Sequence, residues 1–255
     1  MLSFIVSPYH LGQRGTGVGA GPSAILETGI AERLRAPAGE IDAGASSTPA
    51  EVNRRLTIEV RAALRGGSFP LILAGNCNSC LGTLAGLDRS TRRGIVWFDA
   101  HGDFHTPETS ISGSLEGMSL MLATRDYVPE QNVVLVGARD LDPGEDERVR
   151  QRLRHIPDAD LHTAVDLPDV ECVYIHIDLD VLDPAISPGV NFRGSGGLTE
   201  EKLLKALDST FQRYKVEALA IANYNPSFDI DHRTRNIAVR VIEEVSRLRQ
   251  AVASR

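Results

Sequence analysis

Short apolar runs alternate along the chain with segments whose apolar residues recur every three or four positions. Leu2 to Val6 reads as a first strand and leads into a glycine-rich loop, Gly12 to Gly21. Pro22 and Ser23 predict a helix start, and Ala24, Ile25, Ile30 and Leu34 follow with partial helical spacing. Glu51 to Arg65 is a second amphipathic helix, with Val52, Leu56, Val60 and Leu64 spaced four apart. Pro70 to Ala74, Gly94 to Phe98, Val133 to Val136 and Val173 to Ile177 are continuous apolar runs. Such runs suit strands buried on both faces of a parallel sheet. Leu198 to Leu207 predicts a helix with Thr199 as N-cap and Glu200 and Glu201 in its first turn. Val216 to Ala222 is a further strand, and Ile237, Val241, Val245 and Leu248 mark a closing helix. The order predicts an α/β fold of three layers, α/β/α, with a mainly parallel central sheet. In such sheets ligands bind beyond the carboxyl ends of the strands, so chemistry is sought there.

Composition removes whole classes of function. The chain has 255 residues, 42% hydrophobic and 24% charged, the profile of a globular protein. No repeat or linker-like stretch divides it, so residues 1–255 are expected to form a single domain. A chain of this length needs neither disulfide nor metal merely to fold. Net charge is −7, which argues against a general binder of nucleic acid or anionic membrane. No apolar run approaches the ~18 residues of a membrane span. Met1 to Ser7 lacks the basic and long apolar parts of a signal peptide. Three cysteines, an odd number, fit a reduced cytoplasm better than a disulfide framework.

Two strand ends carry unusual charge. Ile95 to Phe98 runs into Asp99-Ala100-His101-Gly102-Asp103, and Val173 to Ile177 runs into Asp178-Leu179-Asp180, with Asp183-Pro184 beyond. Carboxylates gathered at buried strand ends repel one another and are costly to desolvate unless cations neutralise them. Side chains alternate along extended chain, so Asp99, His101 and Asp103 share one face, as do Asp178 and Asp180. Four carboxylates and an imidazole make a ligand set for two divalent ions. The plainer reading, helix caps and turn residues, fits either cluster alone better than it fits both together. A third strand end, Leu71 to Ala74, leads into Gly75-Asn76-Cys77-Asn78-Ser79-Cys80. Cys77 is a candidate thiolate ligand. Cys77 and Cys80 also read as a redox C-x-x-C, or as two small buried residues opening a helix.

These residues resemble the arginase/agmatinase (ureohydrolase) family over nearly the whole chain. Ser7-Pro8-Tyr9-His10-Leu11-Gly12 and Gly19 to Ile25 resemble its N-terminal loop. Asp99 to Asp103 is similar to its first metal signature and Asp178 to Pro184 to its second. Gly196 to Thr199 and Asn225-Pro226 fall at later landmarks. The resemblance implies an arginase/deacetylase-like fold and a two-manganese hydrolase that attacks a guanidino carbon and releases urea and an amine. It implies that Asp99 and Asp178 bridge the ions, that Cys77 and Asp103 complete one, and that His101 and Asp180 complete the other. Cys77 stands where the family has histidine. A softer thiolate tilts the expected metal from Mn toward Zn, Fe or Co.

The substrate side departs further. Thr106-Pro107 and Ser112-Gly113 match the arginase loop for the amino-acid end of the substrate, but His105 and Ser114 replace asparagines. Glu116 replaces the histidine assigned as proton shuttle, and its carboxyl, ordinarily near ~4.3, must rise to act as an acid. Asp142 and Glu145, in Arg139 to Glu145, resemble the acidic residues that read an α-amino group, and otherwise serve as a turn and a helix start. Asn223 stands where the family pairs a glutamate with the guanidinium, and an amide gives only neutral hydrogen bonds. Val190 to Arg193 replaces a small Gly-Thr-Pro turn. Plain L-arginine is therefore a poor fit, and a less basic N-hydroxyguanidine a better one. A formimino or amide hydrolase and a non-catalytic metal-binding protein of the same fold remain alternatives. The expected partner is a small guanidino substrate. The chain ends soon after its last helix, so both a monomer and a homo-oligomer stay open.

Overall fold

The structure, a computed structural model, describes residues 1–89, 91–157 and 166–253. Eight strands pair into one sheet: β1 (Leu2–Ser7), β2 (Ala38–Glu40), β3 (Phe69–Ala74), β4 (Arg93–Phe98), β5 (Val133–Val136), β6 (Arg154–Ile156), β7 (Cys172–Asp178) and β8 (Lys215–Ala222). Their order is β2-β1-β3-β8-β7-β4-β5-β6, and every pairing between them is parallel. All the carboxyl ends therefore lie along one edge. The central four strands, β3, β8, β7 and β4, deliver Cys77, Asn223, Asp178 and Asp99 to neighbouring positions on that edge.

Alternate side chains of each strand feed opposite layers. Leu71, Leu73, Val96, Phe98, Ile175, Ile177 and Ile221 pack with residues of α1 (Gly21–Leu26), α2 (Ile30–Arg33), α7 (Glu200–Arg213) and α8 (Arg233–Ala253). Ile72, Ile95, Trp97, Tyr174, Ala218 and Ala220 pack with residues of α3 (Pro49–Arg65), α4 (Ser79–Gly86), α5 (Ser119–Asp126) and α6 (Pro143–Arg152). Burial on both faces explains why the strands read as unbroken apolar runs rather than alternating ones.

Local rules set the helix ends. The Thr48 side chain caps α3 by accepting from the Glu51 amide, and Pro49 fills its first turn, so the helix starts two residues before the predicted Glu51. Thr199 caps α7 as expected, accepting from the Lys202 amide at 3.2 Å, and the helix runs on to Arg213. A small antiparallel hairpin, Tyr9–His10 with Gln13–Arg14, leads into the glycine-rich loop. Gly12 sits at its turn with φ 96°, where a Cβ would meet the Ser47 carbonyl oxygen at 2.2 Å.

Candidate metal centre

The metal-binding candidates converge at the carboxyl edge of the four central strands. Donor atoms of Cys77, Asp99 and Asp178 lie within 4.8 Å of one another, and so do those of Asp99, His101 and Asp180. Asp99 belongs to both sets. Backbone amides hold these carboxylates in place: Asp99 accepts from the His101 amide at 2.7 Å, Asp178 from Asp180 at 2.8 Å, and Asp180 from Ala100 at 3.0 Å. Asp103 lies outside the two tight sets but lines the same cavity. It is buried in a left-handed conformation, φ 48°, and its Oδ2 has no hydrogen-bond partner. Its carbonyl accepts from the Leu120 and Met121 amides, which ties it to the start of α5 and sustains the strain.

The electrostatics ask for cations. Burial pushes the Asp99, Asp103 and Asp178 carboxyls up, and repulsion adds to it, from Asp180 onto Asp99 and Asp178 and from Asp99 onto Asp103. Burial likewise pushes the Cys77 thiol well up, with Asp178 adding next. Burial alone would lower the His101 imidazole, but its hydrogen bonds to Asp180 and Asp99 push it up to about 12. Without metal the cluster therefore retains protons that a divalent cation displaces on binding. The donor set, the shared Asp99 and the unpartnered Asp103 oxygen fit two such ions.

A ring of buried groups supports these side chains. The Trp97 indole donates to Asp99 at 2.9 Å. His176 stacks on Trp97, with ring centroids 3.8 Å apart, and its Nε2 lies 3.2 Å from the Cys77 sulfur. Tyr174 Oη meets the His176 Nδ1 at 2.8 Å. Burial pushes the His176 imidazole down to about 3, so it is neutral, and Cys77 donates to Asp178 at 3.1 Å. Sequence reasoning passed over these three residues. Period-two alternation carried the signal, since Trp97 shares a face with Asp99, and Tyr174 and His176 share one with Asp178. Cys77 and Cys80 are both buried free thiols, Cys80 at the start of α4, so no disulfide competes for the sulfur.

Arg139, the first residue of the loop that ends at Glu145, has a role that its place in the sequence does not signal. Its guanidinium donates to the carbonyls of Asp180, Val181, Leu182 and Gly194, fastening the Asp180 turn to the mouth of the site. Arg139→Met leaves those carbonyls without their donor and is expected to cost about 3 kcal/mol in urea unfolding. Weaker metal retention should accompany that loss. Unfolding unchanged within error would show that the turn holds itself.

The cavity over the centre measures about 360 Å³. Among the described residues it is lined by seven carboxylates and no lysine or arginine, which selects for cations. The larger cleft between α7 and α8, about 990 Å³, shares no residue with it. His105, Ser112, Ser114, Glu116, Asp142, Glu145 and Asn223 all line the cavity. His105 Nε2 lies 3.1 Å from Asp142, and its Nδ1 lies 3.3 Å from Thr109 Oγ1. Glu145 is buried, and one of its oxygens accepts from the Phe104 amide at 2.8 Å. Ser112 Oγ accepts from the Ser114 amide, and Ser114 Oγ accepts from the Glu116 amide. Asn223 turns its Nδ2 onto Asp178 and Cys77, while its Oδ1 is buried without a partner. Phe192 stands at the mouth, edge-on to His101 with ring centroids 5.9 Å apart, and 58% exposed. Asp183 faces a turn instead, accepting from the Ala185 amide.

Residues 2–246 match the Arginase family. The arginase of Bacillus caldovelox is 31% identical, the match covering 93% of this chain and 95% of that one. A crystal structure of arginase from Bacillus subtilis aligns over 96% of this chain and 98% of its own, with TM-score 0.87 and 29% identity. Formimidoylglutamase from Bacillus subtilis aligns with TM-score 0.83 over 96% of this chain and 86% of its own, and at 18% identity it shares the fold alone.

Proposed function

The chain belongs to the arginase family, and from that premise we propose a two-metal amidinohydrolase acting on an arginine-like amino acid whose guanidino group is modified and weakly basic, as in N-hydroxy-L-arginine. The broader class is plain: this is a hydrolase of carbon–nitrogen bonds in linear amidines. One observation carries the two-metal reading, the sharing of Asp99 between two donor sets. Cys77, Asp99, Asp103 and Asp178 would hold one ion, and Asp99, His101, Asp178 and Asp180 the other. Mn is the metal expected of the family, with Zn, Fe or Co favoured by the sulfur of Cys77. Such ions, when bound, polarise the substrate and lower the pKa of water toward neutrality.

This chain's own groups do the rest. The acidic wall would attract the ammonium group at the substrate's amino-acid end. Asp142 and Glu145, with His105, Ser112 and Ser114, would receive its amino-acid end. The free Oδ1 of Asn223 would accept one N–H of the reacting group. A single neutral acceptor suits a guanidino group of lowered basicity better than a full cation, which wants a paired carboxylate. Glu116 would carry the proton between the attacking water and the departing nitrogen.

The test is the identity of the small nitrogen product. The protein is offered L-arginine, N-hydroxy-L-arginine, agmatine and a formimino amino acid. Hydroxyurea from N-hydroxy-L-arginine in excess over urea from L-arginine supports the proposal. Formamide as the dominant product would transfer the enzyme to formimino substrates.

A further inference from the structure

The Tyr9–His10 strand of the N-terminal hairpin is packed tightly over the loop that carries Cys77. A Cβ on Gly75 would lie 2.2 Å from the Tyr9 carbonyl oxygen, so glycine there lets the two backbones touch. Tyr9 is buried, and its hydroxyl bonds to Gly44 and Ala43. The backbone of His10 is thereby fixed, while its side chain stays 33% exposed. Across from it, Glu116 begins the short turn before α5 and faces the cavity beside Asp103 and Asn223. The His10 Nε2 lies 3.5 Å from the Glu116 carboxylate, whose side chain is 16% exposed.

Building on the amidinohydrolase reading, we infer that His10 and Glu116 form a proton relay, with Glu116 on the cavity side and His10 on the solvent side. An imidazole from the N-terminal loop thus stands behind a carboxylate at a position where the family carries a histidine. Hydrolysis takes one proton from the attacking water and gives one to the nitrogen of the departing amine, as a C–O bond forms and the C–N bond breaks. Glu116 receives the first and returns it as the second, so no net proton is gained or lost. His10 is a positioning residue that acts through Glu116. Its imidazolium orients the carboxylate and keeps the charge of Glu116 paired while the proton moves from water to the departing nitrogen.

The surroundings favour this pair over other imidazoles. His10 is pulled up from its ordinary value by the Glu116 carboxylate beside it, against the opposing effect of burial. The charged neighbour on its own hairpin, Arg14, is engaged by Glu40 and Asp42. Asp103 and Cys77 lie on the inner side of Glu116 and feel its charge. His105 also lines the cavity, but its two ring nitrogens face Thr109 and Asp142. His101 is committed to Asp99 and Asp180.

The test is the pH profile of kcat for wild type, His10→Gln and Glu116→Gln, with metal content measured on each. Glu116→Gln should lower kcat about a hundredfold, the usual scale of general acid–base catalysis. His10→Gln should lower it about tenfold and move the profile, leaving KM and metal content near wild type. Added imidazole should restore part of the His10→Ala rate. A His10→Gln profile that superimposes on wild type would overturn the relay while leaving the amidinohydrolase in place. Absence of guanidino turnover by the wild type would instead overturn the function on which the relay rests.

Discussion

Asp178→Asn is expected to stabilise the metal-stripped protein and to disable the loaded one. In the stripped state Asp178 is buried with its carboxyl held well above the ordinary value of 3.8, first by burial and then by Asp180 and Asp99. A carboxyl that binds its proton more tightly when folded favours folding below the unfolded-state value and opposes it as pH rises. At neutral pH the neutral amide removes that opposition, with a gain on the order of 1–4 kcal/mol in unfolding free energy. A flip of the Asn223 amide, which now points its Nδ2 at Asp178, lets its Oδ1 accept from the new amide. The loaded state responds the other way, because Asp178 would bridge both ions. Wild type should gain about 2.7 kcal/mol from metal at a hundred times its dissociation constant, and the variant almost nothing. Thermal unfolding with and without chelator measures both signs on one protein. Retention of two ions by Asp178→Asn would contradict the bridging assignment.

The second large effect concerns Cys77. A histidine there would match the family and shift preference toward Mn, yet the pocket leaves no room for a ring. Cys77 is fully buried, with His176 Nε2 at 3.2 Å and Asn223 Nδ2 at 3.5 Å from its sulfur. Cys77→His alone should therefore overpack the site, costing about 1–3 kcal/mol. Pairing it with His176→Ser clears the space. The double variant should recover stability and favour Mn over Zn more than wild type does, as expected when an imidazole replaces a softer thiolate. Metal competition followed by elemental analysis reads the ratio, and Co loading adds a check, because a thiolate–Co charge-transfer band should vanish with the sulfur. Unchanged selectivity in the double variant would remove Cys77 from the ligand set.

Much of this was legible from residue patterns. The doubly buried strands, the Thr199 cap and the strand-end aspartates follow from periodicity and capping chemistry. Other elements left no comparable trace. The strand Ala38–Glu40 is exposed along its length, so it carries no apolar run. Helix α6 buries little beyond Glu145 and Val149, too few for an amphipathic stripe. Within the site the limits were of another kind. Alternation gave the faces of Asp99 and Asp178, but the meeting of His176 with Cys77 depends on a strand order that places β3, β8 and β7 side by side. His10 and Glu116 are far apart in sequence, and only the packing of the hairpin on Gly75 explains their approach.

The proposed function requires two ions at Asp99 and Asp178 to drive hydrolysis of a guanidino carbon. It is tested by following ornithine formation by mass spectrometry from N-hydroxy-L-arginine and L-arginine as metal is titrated into stripped protein. No ornithine should form without metal, activity should be full at two ions per chain, and release should be faster from the N-hydroxy compound. Two tightly bound ions with no ornithine from either compound, or turnover undiminished in the stripped protein, would contradict it.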